Sequence, residues 1–215
     1  MLLPRKSNAA LAFFLLFAVL SVFVARGCTK SWDVQTVRTF AEWRHPLAIR
    51  IMQGLSDLGN WRFEVPLALG IAALLWHWKH AGEARRFLLV AVSGEAIYAL
   101  AKLSFHRPRP TIVAHLSDAG WYSYPSGHAM LAWIIWGFGL ALLAHVIASR
   151  GIRLALRTTA LVLPCLISIS RIYLGVHYPT DVLAGLLLAM GWVLLWWGPR
   201  SLESRWDTSS APATR

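Results

Sequence analysis

Lys102, Arg109 and Arg171 are cations, His128 and His177 can move protons or attack an electrophile, and Asp181 can orient an imidazole. They occupy three short polar pieces of the chain: Lys102 to Pro110, Pro125-Ser126-Gly127-His128, and Ser170-Arg171 with His177 and Asp181. Long apolar runs separate the pieces. The reactive side chains therefore fall at the ends of segments that read as membrane spans.

Each piece has a chemistry of its own and a plainer reading. Lys102 and Arg109 bracket a turn that Pro108 and Pro110 force out of helix, and two such cations suit phosphate oxygens. A single basic residue at a span's end is otherwise a head-group anchor. Ser126 can cap a helix, and Gly127 lets an anion approach the backbone N–H groups at its start, with His128 in the first turn. Alone, that is a capped helix with an incidental histidine. Pro179 suits a first helical turn, which leaves His177 just outside a helix, at the edge of a span and not in the core, with Asp181 inside the first turn. A carboxylate there can hold one imidazole nitrogen and leave the other free as a nucleophile or base. For that pair alone, a buried structural His–Asp bond is the favoured reading. Three cations, a helix start and two histidines converging on one face are harder to explain as packing.

The elements that must position these groups follow from composition. The 215 residues are 57% hydrophobic, only 14% charged, and include 12 Trp. Such a chain is read as all-α and polytopic in a membrane. Six spans are expected, near 9–25, 63–78, 87–105, 129–147, 154–172 and 182–198. Between the first two, residues 26–62 place Val34, Val37, Phe40 and Ala41, then Leu47, Ile51 and Leu55, at helical spacing on either side of Pro46. Two short amphipathic interfacial helices are expected there, as packing elements without chemistry. Residues 1–198 read as one domain, and 199–215 as a disordered polar tail. Glu95, seven residues before Lys102, is expected roughly 10 Å below the phosphate site.

With six spans, the ends that carry the polar pieces all emerge on one face. Basic residues at 79–86 and 148–157 place those loops in the cytoplasm, so the site faces the periplasm or outside. The net charge of +11 fits anionic lipid surfaces, and the scatter of its residues among apolar runs argues against nucleic acid as a partner. The two cysteines, Cys28 and Cys165, have neither metal-ligand spacing nor a pairing that favours a disulfide.

The spacing Lys-x6-Arg-Pro, then Pro-Ser-Gly-His, then Ser-Arg-x5-His-x3-Asp resembles the type 2 phosphatidic acid phosphatase (PAP2) superfamily, in its bacterial membrane lipid phosphatase branch. The resemblance implies that Lys102, Arg109 and Arg171 bind phosphate with Ser126 and the Gly127 N–H. It implies that His177 attacks phosphorus to form a phosphohistidine, that Asp181 orients His177, and that His128 protonates the leaving oxygen and then activates water. Neither metal nor other cofactor is implied. The expected partners are a phosphorylated lipid substrate and membrane lipids, with no obligate protein partner, in a bacterial inner membrane. Undecaprenyl diphosphate, phosphatidylglycerophosphate and phosphatidate are the candidate substrates. Arg107 is expected at most to touch phosphate or head group. A lipid phosphotransferase of the same fold, and a transport or scaffold protein with a vestigial site, remain as alternatives.

Overall fold

A computed structural model describes residues 5–196; the expected tail at 199–215 lies outside the described residues. Eight helices follow in order: α1 Arg5–Ala25, α2 Lys30–Glu42, α3 Pro46–Leu58, α4 Trp61–His77, α5 Ala81–Phe105, α6 Gly127–Val146, α7 Arg150–Tyr173 and α8 Pro179–Trp196. No strand occurs among the described residues. Five helices, α1, α5, α6, α7 and α8, are long and apolar enough to cross a membrane. The 17-residue α4, with Glu64 in its first turn, is not among them, although it fills the place of the expected second span.

Local signals explain most boundaries. Pro46 opens α3, where its missing N–H costs nothing, and Asn60 caps α4 by accepting the Arg62 N–H at 3.1 Å. Pro164 lies inside α7 without ending it. The connections at 78–80 and 147–149 are very short, so Arg85, Arg86, Arg150, Arg153 and Arg157 sit in the opening turns of α5 and α7, not in loops as the sequence alone implied.

The core lies between α4, α5, α6 and α8, where Ile71, Leu75, Phe87, Val90, Met130, Ile134, Leu188 and Ala189 interlock. In lipid, close packing of small residues drives such association. Gly185 of α8 is one example: a Cβ there would come within 2.6 Å of the Ser126 carbonyl oxygen, so a side chain would push α8 away from the start of α6. The middle of α6, Trp133–Gly139, widens to a π-helix. Trp136 Nε1 there donates to the Leu58 carbonyl at 2.9 Å, tying α6 to the end of α3. α1 packs along α8 and is anchored by Ser21 Oγ, 2.8 Å from the Tyr124 hydroxyl.

The expected interfacial helices are present as α2 and α3. Leu47 and Ile51 remain exposed, as a membrane-surface helix requires. The bend between them is fastened to the end of α7: Tyr173 OH donates to the Trp43 carbonyl at 2.9 Å and accepts the His45 N–H at 3.2 Å, while Arg44 Nε donates to the Tyr173 carbonyl at 3.1 Å. This fastening sets α2 and α3 beside the polar ends of α7 and α8.

Candidate active site

α5 ends at Phe105, and His106 takes a left-handed conformation, φ 47°, that turns the chain across the face of the bundle. The connection up to Ser126 is held in place by backbone bonds: Ser123 N–H to Arg107 O at 2.7 Å, Leu116 N–H to Leu174 O at 2.9 Å, and Ser126 N–H to Asp181 O at 2.9 Å. Ser126 caps α6 by accepting the Ala129 N–H at 3.4 Å. Gly127 opens the helix against Tyr98, where a Cβ would lie 2.5 Å from the ring. The three polar pieces therefore meet at one end of the bundle.

His177 stands in the turn before α8, as expected, but it is 2% exposed, so it belongs to a buried polar core and not to a span's edge. Its Nδ1 faces Asp181 Oδ2 at 3.4 Å and Ser123 Oγ at 3.5 Å, and its Nε2 faces Arg109 Nη1 at 3.1 Å. Burial and then the positive charges of Arg109, Arg171 and Lys102 hold this imidazole well below its ordinary range. The ring is therefore neutral at neutral pH. With Asp181 taking Nδ1–H, the lone pair is on Nε2, directed toward the cations.

Those cations have a common peculiarity. Among the described residues the ion pairs made by Lys or Arg are Arg107–Asp33 and Arg107–Asp181. Lys102, Arg109 and Arg171 belong to neither. Lys102 and Arg171 are each 2% exposed. Lys102 Nζ donates only to Tyr98 OH, at 2.9 Å. Arg171 donates to Ser56 Oγ, to Ser117 Oγ at 3.1 Å and to the Asp118 carbonyl, while its buried Nε has no partner. Arg109 is held by carbonyls: Val176 at 2.7 Å, Gly120 at 2.6 Å and Trp121 at 3.2 Å. Buried cations without counter-charges are costly unless an anion completes them. Such an arrangement can hold an anion, with a neutral imidazole at its wall. His128, half-buried, lies near the cations Arg171, Lys102 and Arg109 and the neutral His177 ring, and makes no hydrogen bond to the described residues. Among those residues, no group of three or more His, Cys, Asp or Glu is placed to hold a metal ion.

Arg107 does not face this anion site. Its Nη1 donates to Asp181 Oδ1 at 2.6 Å and to Thr180 Oγ1 at 2.7 Å, and its Nη2 to Asp33 Oδ2 at 2.7 Å. Those two carboxylates raise its pKa despite burial, and Tyr178 covers its guanidinium at 4.2 Å. The expected phosphate or head-group contact is thus replaced by a bridge. Asp33, fully buried, also accepts the Thr180 N–H at 3.1 Å, the Thr180 hydroxyl at 2.7 Å and the Thr29 hydroxyl at 3.0 Å. Asp181 in turn receives the Tyr178 N–H at 2.8 Å and the Ser123 hydroxyl. α2 and α3, expected to carry no chemistry, therefore supply Asp33 and Ser56 to the site's supports. The clue in the sequence was Asp33 four residues before Val37, an acid on the face that α2 buries.

Two cavities adjoin His128. One, of about 610 Å³, is polar and is lined by Gln53, Ser56, Asn60, Ser117 and Asp118 among others. The other, of about 560 Å³, is an apolar groove between α4, α5 and α6 that reaches Gly127 and His128 from the side. A histidine between a polar cavity and a lateral apolar one can meet water from one direction and a hydrocarbon-bearing molecule from the other.

Comparison with known proteins is consistent with this geometry. The chain is 28% identical over 180 residues to phosphatidylglycerophosphatase B of Bacillus subtilis (strain 168), covering 83% of this chain and 88% of that one. It is 32% identical over 161 residues to the putative undecaprenyl-diphosphatase YbjG of Escherichia coli (strain K12), covering 70% of each. A crystal structure of a transmembrane PAP2 type phosphatidylglycerolphosphate phosphatase from Bacillus subtilis superposes with a TM-score of 0.80 at 28% identity, over 87% of this chain and 93% of that one. Aquifex aeolicus LpxE gives 0.59 at 26% identity, over 76% and 94%. Residues 83–205 match the PAP2 superfamily, and with that match, the solved relatives and the three motifs meeting at one end of the bundle, the chain belongs to the PAP2 superfamily.

Proposed function

We propose that the protein is a multi-pass membrane lipid phosphatase that passes the phosphoryl group through His177. The observation that carries this reading is the set of three cations without an ion-pair partner beside a buried, neutral histidine, with Arg109 Nη1 3.1 Å from its Nε2. Lys102, Arg109 and Arg171 bind the phosphate oxygens, with Ser126 and the Gly127 N–H at the start of α6. Arg109 turns its Nη1 from His177 to the incoming phosphate, which frees Nε2 for attack. A P–N bond forms as the P–O bond to the lipid breaks, and His128 gives its proton to the leaving oxygen. His128 then takes a proton from water, the hydroxide attacks phosphorus, and the P–N bond breaks to release phosphate. Asp181 holds Nδ1–H throughout and stabilises the charge that develops on the ring.

Inorganic phosphate release from purified protein in detergent tests the reading on phosphatidylglycerophosphate, phosphatidate and undecaprenyl diphosphate. Release with water as acceptor supports a hydrolase. Transfer to another lipid without release makes it a phosphotransferase, and no turnover on any lipid phosphate leaves a scaffold. Because fixed cations neutralise the phosphoryl charge, activity is expected to survive EDTA and to be inhibited by vanadate, a mimic of pentacoordinate phosphorus. Loss in EDTA that zinc or magnesium restores would contradict it.

In the orientation that we favour, α4 is a sixth span, both ends of the described chain lie in the cytoplasm, and the site opens toward the periplasm. Support comes from the basic opening turns of α5 and α7, both at the opposite end of the bundle from the site. Single cysteines at Thr111 and Gly82, in protein lacking Cys28 and Cys165, test this orientation with a membrane-impermeant thiol reagent. Position 111 is expected to react in intact cells and position 82 only after lysis; the reverse pattern would place the chemistry at the inner leaflet.

A further inference from the structure

The apolar groove beside His128 contains two groups that a hydrocarbon chain does not need. Val65, Leu69, Ala91, Val92, Leu131 and Ile135 give it walls suited to a lipid tail. Glu64 and Glu95 line the same groove. Glu64 is 1% exposed, and its Oε1 has no hydrogen-bond partner among the described residues. Glu95, exposed in the groove wall, has no ion-pair partner among them either, since Lys102 Nζ is bonded to Tyr98. A carboxyl group left in this way at membrane depth is expensive, and a structural role would have given it a local donor.

The position of Glu64 decides what could satisfy it. Gly59, just before α4, lies against the His128 ring: a Cβ there would come within 3.2 Å of its Cδ2. Glu64 follows five residues later on α4, so it lies about one helical turn deeper than His128. His128 faces the leaving oxygen in the proposed reaction. Glu64 is therefore placed for the lipid atoms bonded next to that oxygen.

We propose that Glu64, assisted by Glu95, forms a subsite that accepts a hydrogen bond from a hydroxyl on the carbon next to the phosphate-bearing carbon, as in a glycerol phosphate head group. The proposal rests on the phosphatase reading and narrows its substrate class. A prenyl chain has no donor at that place, a fatty ester offers only acceptors, and a second phosphate would bring negative charge toward two carboxyl groups. Of the three candidate lipids, phosphatidylglycerophosphate is the one whose head group carries a hydroxyl donor at that place.

The test compares kcat/KM for phosphatidylglycerophosphate and for its analogue lacking that hydroxyl, with identical acyl chains, in wild-type protein, Glu64→Gln and Glu64→Leu. Wild-type protein is expected to prefer the hydroxylated lipid by roughly tenfold or more. Glu64→Gln, which keeps a carbonyl acceptor, is expected to retain most of that preference, and Glu64→Leu to erase it. Equal turnover of the two lipids by wild-type protein overturns the subsite without reference to any variant. So does a preference that survives Glu64→Leu. In both cases phosphate is still released, so the phosphatase reading stands; release from neither lipid nor from any other lipid phosphate would sink that reading and the subsite with it.

Discussion

His177→Ala is expected to abolish phosphate release, by at least roughly 10⁴-fold, on every lipid that the wild-type protein accepts. The variant should still fold. Asp181 keeps Arg107, the Tyr178 N–H and the Ser123 hydroxyl when the imidazole is gone, so no buried charge is stranded. Turnover and thermal unfolding in the same detergent separate the two effects. His128→Ala should also be severe on lipids, but an aryl phosphate, whose leaving group needs no proton, should recover part of the first step. Near wild-type turnover by His177→Ala would end the mechanism proposed here.

Arg107→Ala is expected to be nearly as damaging, for a different reason. It leaves Asp33 and Asp181, both fully buried, without the cation between them. Removing one partner of a buried ion pair costs about 3–5 kcal/mol, and here one residue serves two carboxylates. Asp181 would lose the contact that directs its other oxygen at His177, so kcat should fall along with stability. Arg107→Lys should recover little of either, because one ammonium cannot reproduce a planar fork spanning two carboxylates and Thr180. Asp33→Asn in the same background should restore part of the lost stability by removing one stranded charge, a coupling that a double-mutant cycle measures. A stable, fully active Arg107→Ala protein would show that the bridge does not govern Asp181.

The contrast between Arg107 and Arg109 marks where the sequence could be read and where it could not. The five long apolar helices, the start of α6 at Ser126-Gly127 and the placement of His177 outside α8 all follow from local signals: length, capping and a proline. Which of two arginines two residues apart meets the anion site depends on what lies across the bundle. Arg109 meets carbonyls and His177, whereas Arg107 meets Asp33, which lies 74 residues away in the chain. No short-range pattern encodes that pairing. The same limit applies to Ser56, which reaches Arg171 from a helix whose apolar spacing alone suggested a packing role. Glu64 was hidden differently, because a lone acid at the start of an apolar run reads as an interfacial residue until the groove beside it is seen.

The central claim is that phosphorus passes through His177, and it can be tested by looking for the intermediate. His128→Ala protein is mixed with a labelled aryl phosphate, so that the first step needs little acid assistance while release by water is slowed. The reaction is quenched in alkali, where phosphohistidine survives, and the labelled peptide is sequenced. The account predicts phosphate bound to the His177 ring, at up to one group per chain, and none in protein that also carries His177→Ala. Turnover of the same substrate without labelled protein, or label on any other residue, would contradict it.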